Sequence, residues 1–178
     1  MTLYIKSRRT LYILLMGFIN YLLATIPFNT ARKIILKLIG AKVGVNVTLQ
    51  RGIRLDFPWR LTIGANCHIG KFVYLDCRGG TIVIEQDSDV SEGAIIYTLS
   101  HDIQSENFCT KKGDVLIGAR SWICARAIVL PGACIGKGNV LSANSVFSGA
   151  SSEYNLLIGN LAKPVKKLLS NRASRVRK

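Results

Sequence analysis

Only two histidines, His68 and His101, occur among the 178 residues, and the five cysteines form no C-x-x-C pair. A zinc centre needs clustered nitrogen and sulfur ligands at short spacing, so no metal is expected. Five scattered cysteines (Cys67, Cys77, Cys109, Cys124, Cys134) read as reduced core and corner thiols rather than a disulfide framework. No G-x-S-x-G is present, which argues against a serine nucleophile on a strained elbow. Acid is scarce as well: 24 Lys and Arg face 10 Asp and Glu, for a net charge of +14. No acidic residue occurs between Met1 and Lys42, or between Lys163 and Lys178, yet each end holds seven basic residues. The middle, 43–162, is neutral, with ten residues of each sign. A positive excess confined to two ends, with no recognisable base-reading motif, argues against a nucleic-acid partner. With 49% hydrophobic residues the chain is no disordered basic tail.

What is present at the N-terminus is an uncharged run from Thr10 to Ala31, preceded by Lys6, Arg8 and Arg9. Pro27 should end or kink a helix near Ile26. The run admits a cleaved signal peptide, a single span, a helix packed on the protein itself or on a partner subunit, or an in-plane helix followed by an amphipathic one from Ala31 to Ile39. The in-plane reading is the one favoured here, because it sets every basic residue against anionic headgroups. Residues 1–38 are therefore taken as a membrane-associating helical segment.

From Ile39 onward aliphatic residues recur every six: Ile39, Val45, Ile63, Ile69, Leu75, then after a slip of three Ile84, Val90, Ile96, and again Ile117, Ile123, Val129, Ile135 and Leu141. The residue four after each is usually small (Cys67, Ser88, Ala94, Ser121, Ala127, Ala133, Ser145), and glycine often follows the aliphatic. A period of six suits neither a helix nor one long strand. It suits short strands joined by regular corners, with the aliphatic inward and glycine supplying backbone freedom. Three such faces make one coil of a solenoid whose core is a stack of aliphatic columns.

These hexapeptides resemble those of the hexapeptide-repeat acyltransferases, and most of all the group that O-acetylates bacterial surface sugars, with the galactoside and maltose acetyltransferases nearby. The resemblance implies a mainly β fold, a left-handed parallel β-helix over about 39–155, with an extruded loop at 102–114 and a coenzyme-binding segment and tail at 156–178. It also implies a homotrimer with active sites between subunits.

The regular frame breaks once, between His101 and Asp114, and irregular loops on rigid scaffolds concentrate function. The Ser100-His101-Asp102 motif is similar to the one preceding the family's loop, which implies that His101 is the general base. A sugar hydroxyl is a weak nucleophile, and a base with a pKa near neutrality can take its proton as it attacks a thioester. The group orienting His101 is left among Asp102, Asp89, Glu92 and a backbone carbonyl. His68 reads as a surface or corner histidine. The block from Trp122 to Phe147, and IGNLAKPVKKL from Ile158, resemble the family's coenzyme wall. That likeness assigns Trp122, Ala125, Ala143, Ser148, Lys163 and Lys166 to acetyl-CoA, the two lysines at its phosphates. It assigns Asp76, with neighbours Tyr74 and Arg78, to the acceptor sugar, and Asp102 is a further candidate there. The expected activity is acetyl-CoA-dependent O-acetylation of a surface polysaccharide or its lipid-linked precursor, on the cytoplasmic face of the inner membrane. Acetylation of a soluble acceptor, or a non-catalytic β-helix module, are the alternatives.

Overall fold

The structure, a computed structural model, describes the backbone of residues 2–170 and the side chains of residues 10–170. The side chains of Lys6, Arg8 and Arg9, and residues Arg172, Arg175, Arg177 and Lys178, lie outside that description. Two helices open the chain, α1 (Thr2–Thr25) and α2 (Asn29–Leu38), with Pro27 between them as the sequence suggested. Five coils follow. They comprise β1 (Lys42–Val43), β2 (Thr48–Leu49) and β3 (Arg54–Asp56); β4 (Leu61–Ile63), β5 (His68–Ile69) and β6 (Tyr74–Asp76); and β7 (Ile82–Ile84), β8 (Asp89–Val90) and β9 (Ile95–Tyr97). A hairpin of β10 (Leu99–His101) and β11 (Thr110–Lys112) then leaves the body. The coils resume with β12 (Val115–Ile117), β13 (Trp122–Ile123) and β14 (Ile128–Val129), then β15 (Cys134–Ile135), β16 (Val140–Leu141) and β17 (Val146–Phe147). A terminal hairpin of β18 (Asn155–Gly159) and β19 (Ala162–Lys167) extends one face.

The strands sort into three parallel faces. Face A is β1-β4-β7-β12-β15, face B carries β2-β5-β8-β13-β16, and face C is β3-β6-β9-β14-β17. Each face carries a column of inward residues in register, and the longer strands of face A bury a second set, Leu61, Ile82 and Val115. Ile63, Ile84, Ile117 and Ile135 form the column of face A. Leu49, Ile69, Val90, Ile123 and Leu141 form that of face B. Leu55, Leu75, Ile96, Val129 and Phe147 form that of face C. All are buried, each contributing roughly 1.5–3 kcal/mol of apolar transfer.

The repeat is thus as expected from Ile63 on, but its first two members are not. Ile39 caps the end of α2, and Val45 is 70% exposed. The first coil runs on Val43, Leu49 and Leu55 instead. A 3-10 turn at Pro58–Arg60 lengthens that coil and so shifts the frame before Ile63. The glycines after the aliphatics also have another cause than turn freedom. Gly64 does not have positive φ, but a Cβ there would lie 2.5 Å from the backbone nitrogen of Gln86 in the next coil. Coil stacking, not chain reversal, demands it. The left-handed corners are filled largely by other residues: Asn46, Asn66, Asp87 and Arg120 stack at one edge with φ of 54–61°. Asn66 accepts from Asn46 at 3.2 Å and donates to Asp87 at 3.0 Å.

The first coil has no coil beneath it, and the helices take that place. Asn20 of α1 donates to the Leu55 carbonyl and accepts from its N–H, at 3.1 and 3.0 Å. Asn29 does the same for the Val47 carbonyl and the Leu49 N–H. Arg32 donates to the carbonyls of Leu49 and Ile26. Met16, Ile19 and Leu23 form the buried stripe of α1. Arg32, 4% exposed, is therefore not available to headgroups as expected; burial also lowers its pKa. Among the described residues no helix is long and apolar enough to cross a membrane.

The two frames can be told apart by mutation. Ile117→Ala should cost about 2–5 kcal/mol in chemical denaturation, as a truncated core column. Val45→Ala should change stability by less than about 0.5 kcal/mol, although a repeat beginning at Ile39 would bury it equally.

Candidate active site

The hairpin exists because Thr98 and Asp114 clamp its base. Thr98 donates through Oγ1 to the Asp76 carbonyl at 2.6 Å, and the same oxygen accepts from the Gly79 N–H. Asp114 Oδ1 accepts from both the N–H and the hydroxyl of Thr81, at 2.6 and 2.9 Å. These donors hold its carboxyl below the usual range, backbone donor first. Within the hairpin His101 pairs with Thr110, so the segment expected as an extruded irregular loop at 102–114 is an ordered antiparallel ribbon with its tip at 102–109.

His101 is exposed, and its Nδ1 lies 2.7 Å from the Phe108 carbonyl. A carbonyl oxygen only accepts, so Nδ1 carries a proton, and in the neutral ring the lone pair is the one on Nε2. The ring is thereby fixed in the tautomer a general base needs. Of the orienting groups considered from sequence, the backbone carbonyl is the one in contact. Asp102 instead accepts from the Gln104 N–H at 3.0 Å and shapes the tip.

The acceptor candidates lie on and just after β6 of face C, the coil to which Thr98 ties the base of the hairpin. Asp76 is fully buried, and Arg78 grips it with Nε at 2.9 Å, Nη2 at 2.7 Å and its backbone N–H at 3.0 Å. This fork-like pairing raises the arginine's pKa. Asp76 therefore offers a ligand no surface, a departure from its expected role; what it offers is a positioned, half-exposed Arg78. The Tyr74 hydroxyl donates to Asp56 at 2.6 Å, and its ring meets Tyr97 edge-on at 5.9 Å. Burial, then the Asp56 bond, push its pKa up.

Ala125 and Ala143 do come together, lining a cleft of about 590 Å³ with Phe72, Glu92, Arg126 and Asn144. It sits at the corner between faces B and C, where Arg126 and Asn144 adopt φ of 58° and 57°. Trp122 stands on face B and donates from Nε1 to Ser91 Oγ at 2.8 Å. Ser148 is exposed beyond β17. Lys163 and Lys166 are exposed on β19, opposite Ile158 and Leu156. His101 does not line this cleft, the cleft around His68, or the one between Thr62 and Lys137. Among the described residues no cluster of His, Cys, Asp or Glu could hold a metal.

A parallel β-solenoid with an extruded His-bearing hairpin and an alanine-lined cleft defines the class of protein to which known chains compare. The fold matches the left-handed β-helix of an acetyltransferase from Vibrio cholerae solved with acetyl coenzyme A, at a TM-score of 0.79 and 19% identity over 87% of this chain and 86% of that one. It also matches a maltose O-acetyltransferase from Clostridium difficile 630, at a TM-score of 0.71 and 22% identity over 87% and 85%. In sequence the chain is similar to an Escherichia coli K12 protein provisionally named as the colanic acid biosynthesis acetyltransferase WcaF, 35% identical over 114 residues. That match covers 64% of this chain and 62% of the relative, so the chain spans about three-fifths of the relative's length. No protein-family model matches.

The residues missed from sequence are Phe108, which acts through its backbone, and Gln50, Lys71 and Ser91 around His68. A six-residue period gives no weight to outward positions. The Arg78–Asp76 grip can be tested directly. Arg78→Ala should lower stability by about 1–3 kcal/mol, because it strips a buried carboxylate of its charged partner. Arg78→Lys should recover only a fraction of that, since an ammonium cannot form the two-pronged contact. Thermal denaturation of both variants measures it.

Proposed function

We propose that the chain is an acetyl-CoA-dependent O-acetyltransferase acting on a sugar hydroxyl of a bacterial surface polysaccharide or its lipid-linked precursor. The observation that carries this reading is the Phe108 carbonyl on His101 Nδ1, which leaves Nε2 open on an exposed ribbon. Nε2 takes the sugar proton as the hydroxyl oxygen attacks the thioester carbonyl. The tetrahedral intermediate collapses with departure of the coenzyme thiolate, and the imidazolium returns the proton to it. No covalent acyl-enzyme is needed. Holding both substrates in line adds effective molarity.

The coenzyme lies along Ala125 and Ala143, with Lys163 and Lys166 toward its phosphates; the acetyl-CoA in the Vibrio cholerae neighbour supports that choice of donor. His101 is not among the residues that line the alanine cleft of its own chain. A homotrimer in which the hairpin of one subunit reaches the cleft of the next would join them. The name of the E. coli relative and the maltose O-acetyltransferase support a sugar acceptor.

The outer face of α1 supports a site at the membrane. Leu11, Leu14, Leu15, Phe18 and Tyr21 follow helical spacing and are each more than half exposed, while Met16, Ile19 and Leu23 face the solenoid. Ile34 and Leu38 of α2 are exposed, and Lys33 and Lys37 add charge without any acidic residue before Asp56. An in-plane helix on the anionic cytoplasmic face of the inner membrane fits this pattern.

Two measurements test these readings. In a strain lacking the gene, the wild-type gene should restore one O-acetyl group to the surface glycan. His101→Ala should not, while the purified variant loses about 10²- to 10⁴-fold in turnover with coenzyme binding intact. Near-normal transfer by His101→Ala would overturn the mechanism. The full chain should also sediment with phosphatidylglycerol-containing vesicles, released only partly by high salt. Leu14→Glu combined with Phe18→Glu should abolish sedimentation.

A further inference from the structure

Face B carries a second cleft, of about 390 Å³, that the coenzyme and hairpin residues do not use. Gln50, His68, Lys71, Asp89, Ser91 and Glu92 line it. Glu92 lines the alanine cleft too, so the two cavities share a wall. Their side chains form a hydrogen-bonded run across four coils. Gln50 Nε2 lies 3.4 Å from His68 Nε2, and His68 Nδ1 lies 3.3 Å from Asp89 Oδ1. Ser91 Oγ donates to the same Asp89 oxygen at 3.3 Å and accepts from Trp122 at 2.8 Å. The parallel register explains the alignment, because His68, Asp89 and Trp122 occupy equivalent outward positions of β5, β8 and β13.

A run of this kind on a β-face has a cost. Outward positions of a solenoid are solvated, and nothing in coil stacking calls for an imidazole beside a carboxylate and an amide. Asp89 is nearly buried while its Oδ1 takes two weak contacts. Its second oxygen is in none of these contacts. The cleft thus presents two carboxylates, an amide, a hydroxyl and one ammonium, an excess of acceptors over cation. Such a lining suits a neutral polyhydroxylated ring, whose vicinal hydroxyls both donate to carboxylates and accept from amide and ammonium.

We infer that this cleft is the acceptor subsite: a sugar ring seated among Gln50, His68, Lys71 and Asp89, separated by Glu92 from a coenzyme in the alanine cleft. The inference rests on the sugar-acetyltransferase reading above and adds the place and polarity of the acceptor. The ring's reacting hydroxyl lies at the Glu92 wall shared with the donor cleft, where the hairpin of the next subunit would bring His101. His68 is a positioning residue for the ring, while His101 remains the base.

Binding, read apart from turnover, tests it. Saturation-transfer NMR on the full-length protein with coenzyme A would use maltose and glucose as probes. The wild type and His101→Ala should both transfer saturation to the sugar protons. Asp89→Asn and Lys71→Met should lose most of it, the loss of one hydrogen bond to a charged group being worth about tenfold or more in affinity. Coenzyme affinity should stay within about twofold, which also shows that the variants are folded; Lys71 is exposed and its replacement leaves the core untouched. Undiminished saturation in both variants would overturn the subsite. Sugar binding that depends on Asp89, in a wild type that releases no coenzyme thiol from acetyl-CoA, would uphold the subsite and overturn the activity. No saturation in the wild type from either sugar would overturn the neutral-ring subsite.

Discussion

Everything in this protein depends on one constraint: a strand of two or three residues cannot hold itself, so each coil must lie in register on the next. Backbone hydrogen bonds run from coil to coil, as from Gly64 N–H to the Ile84 carbonyl at 2.7 Å and Tyr74 N–H to the Ala94 carbonyl at 3.0 Å. The spacing leaves no room for a Cβ at Gly64, and it lines up the three aliphatic columns. An insertion can then leave only where it does not force adjacent coils apart. The chain uses the end of β9, where a ribbon departs and β12 resumes beside β7 with its register kept. His101 owes its place to that rule.

The same constraint makes the ends of the stack a problem, because an uncovered coil shows bare strand edges. At the far end β18 continues face B and β19 folds back on it. At the near end four side chains, Tyr12, Asn20, Asn29 and Arg32, supply missing donors and acceptors. A helix that meets a strand edge through amides does not need its other side for the fold. The apolar outer stripe of α1 is therefore surplus to stability.

The aliphatic columns and most of their small companions could be read directly, because burial repeats and the sequence repeats with it. So could the place of the extrusion, as the one interruption in the period, though not its form as a paired ribbon. The start of the first coil could not. Val43 and Val45 are equally aliphatic, and only the fit of α2 and the turn at Pro58–Arg60 decides which faces inward. Arg32 was misplaced for a related reason. Its charge suggested solvent, but carbonyls left bare by the first coil outweigh that. Asp76 illustrates a third case. An acidic residue two before an arginine could serve a ligand or its neighbour, and only coordinates show both oxygens taken up by Arg78.

Inside, the three faces are nearly interchangeable; outside they are not. Face C sets Tyr74 between Arg54 and Ile95, with its ring against Tyr97, and face B sets His68, Asp89 and Trp122 in a line. A repeat guarantees that outward residues of successive coils become neighbours about one strand spacing apart. Chemistry can therefore be assembled from residues some twenty positions distant in sequence without any change to the core. His68 looks like a lone surface histidine along the chain. Across the coils it stands between an amide and a carboxylate, in a row that ends at the indole of Trp122. On a solenoid, then, a residue's chemical role is set by what lies one coil away, and the period that hides such residues in the sequence is also what brings them together.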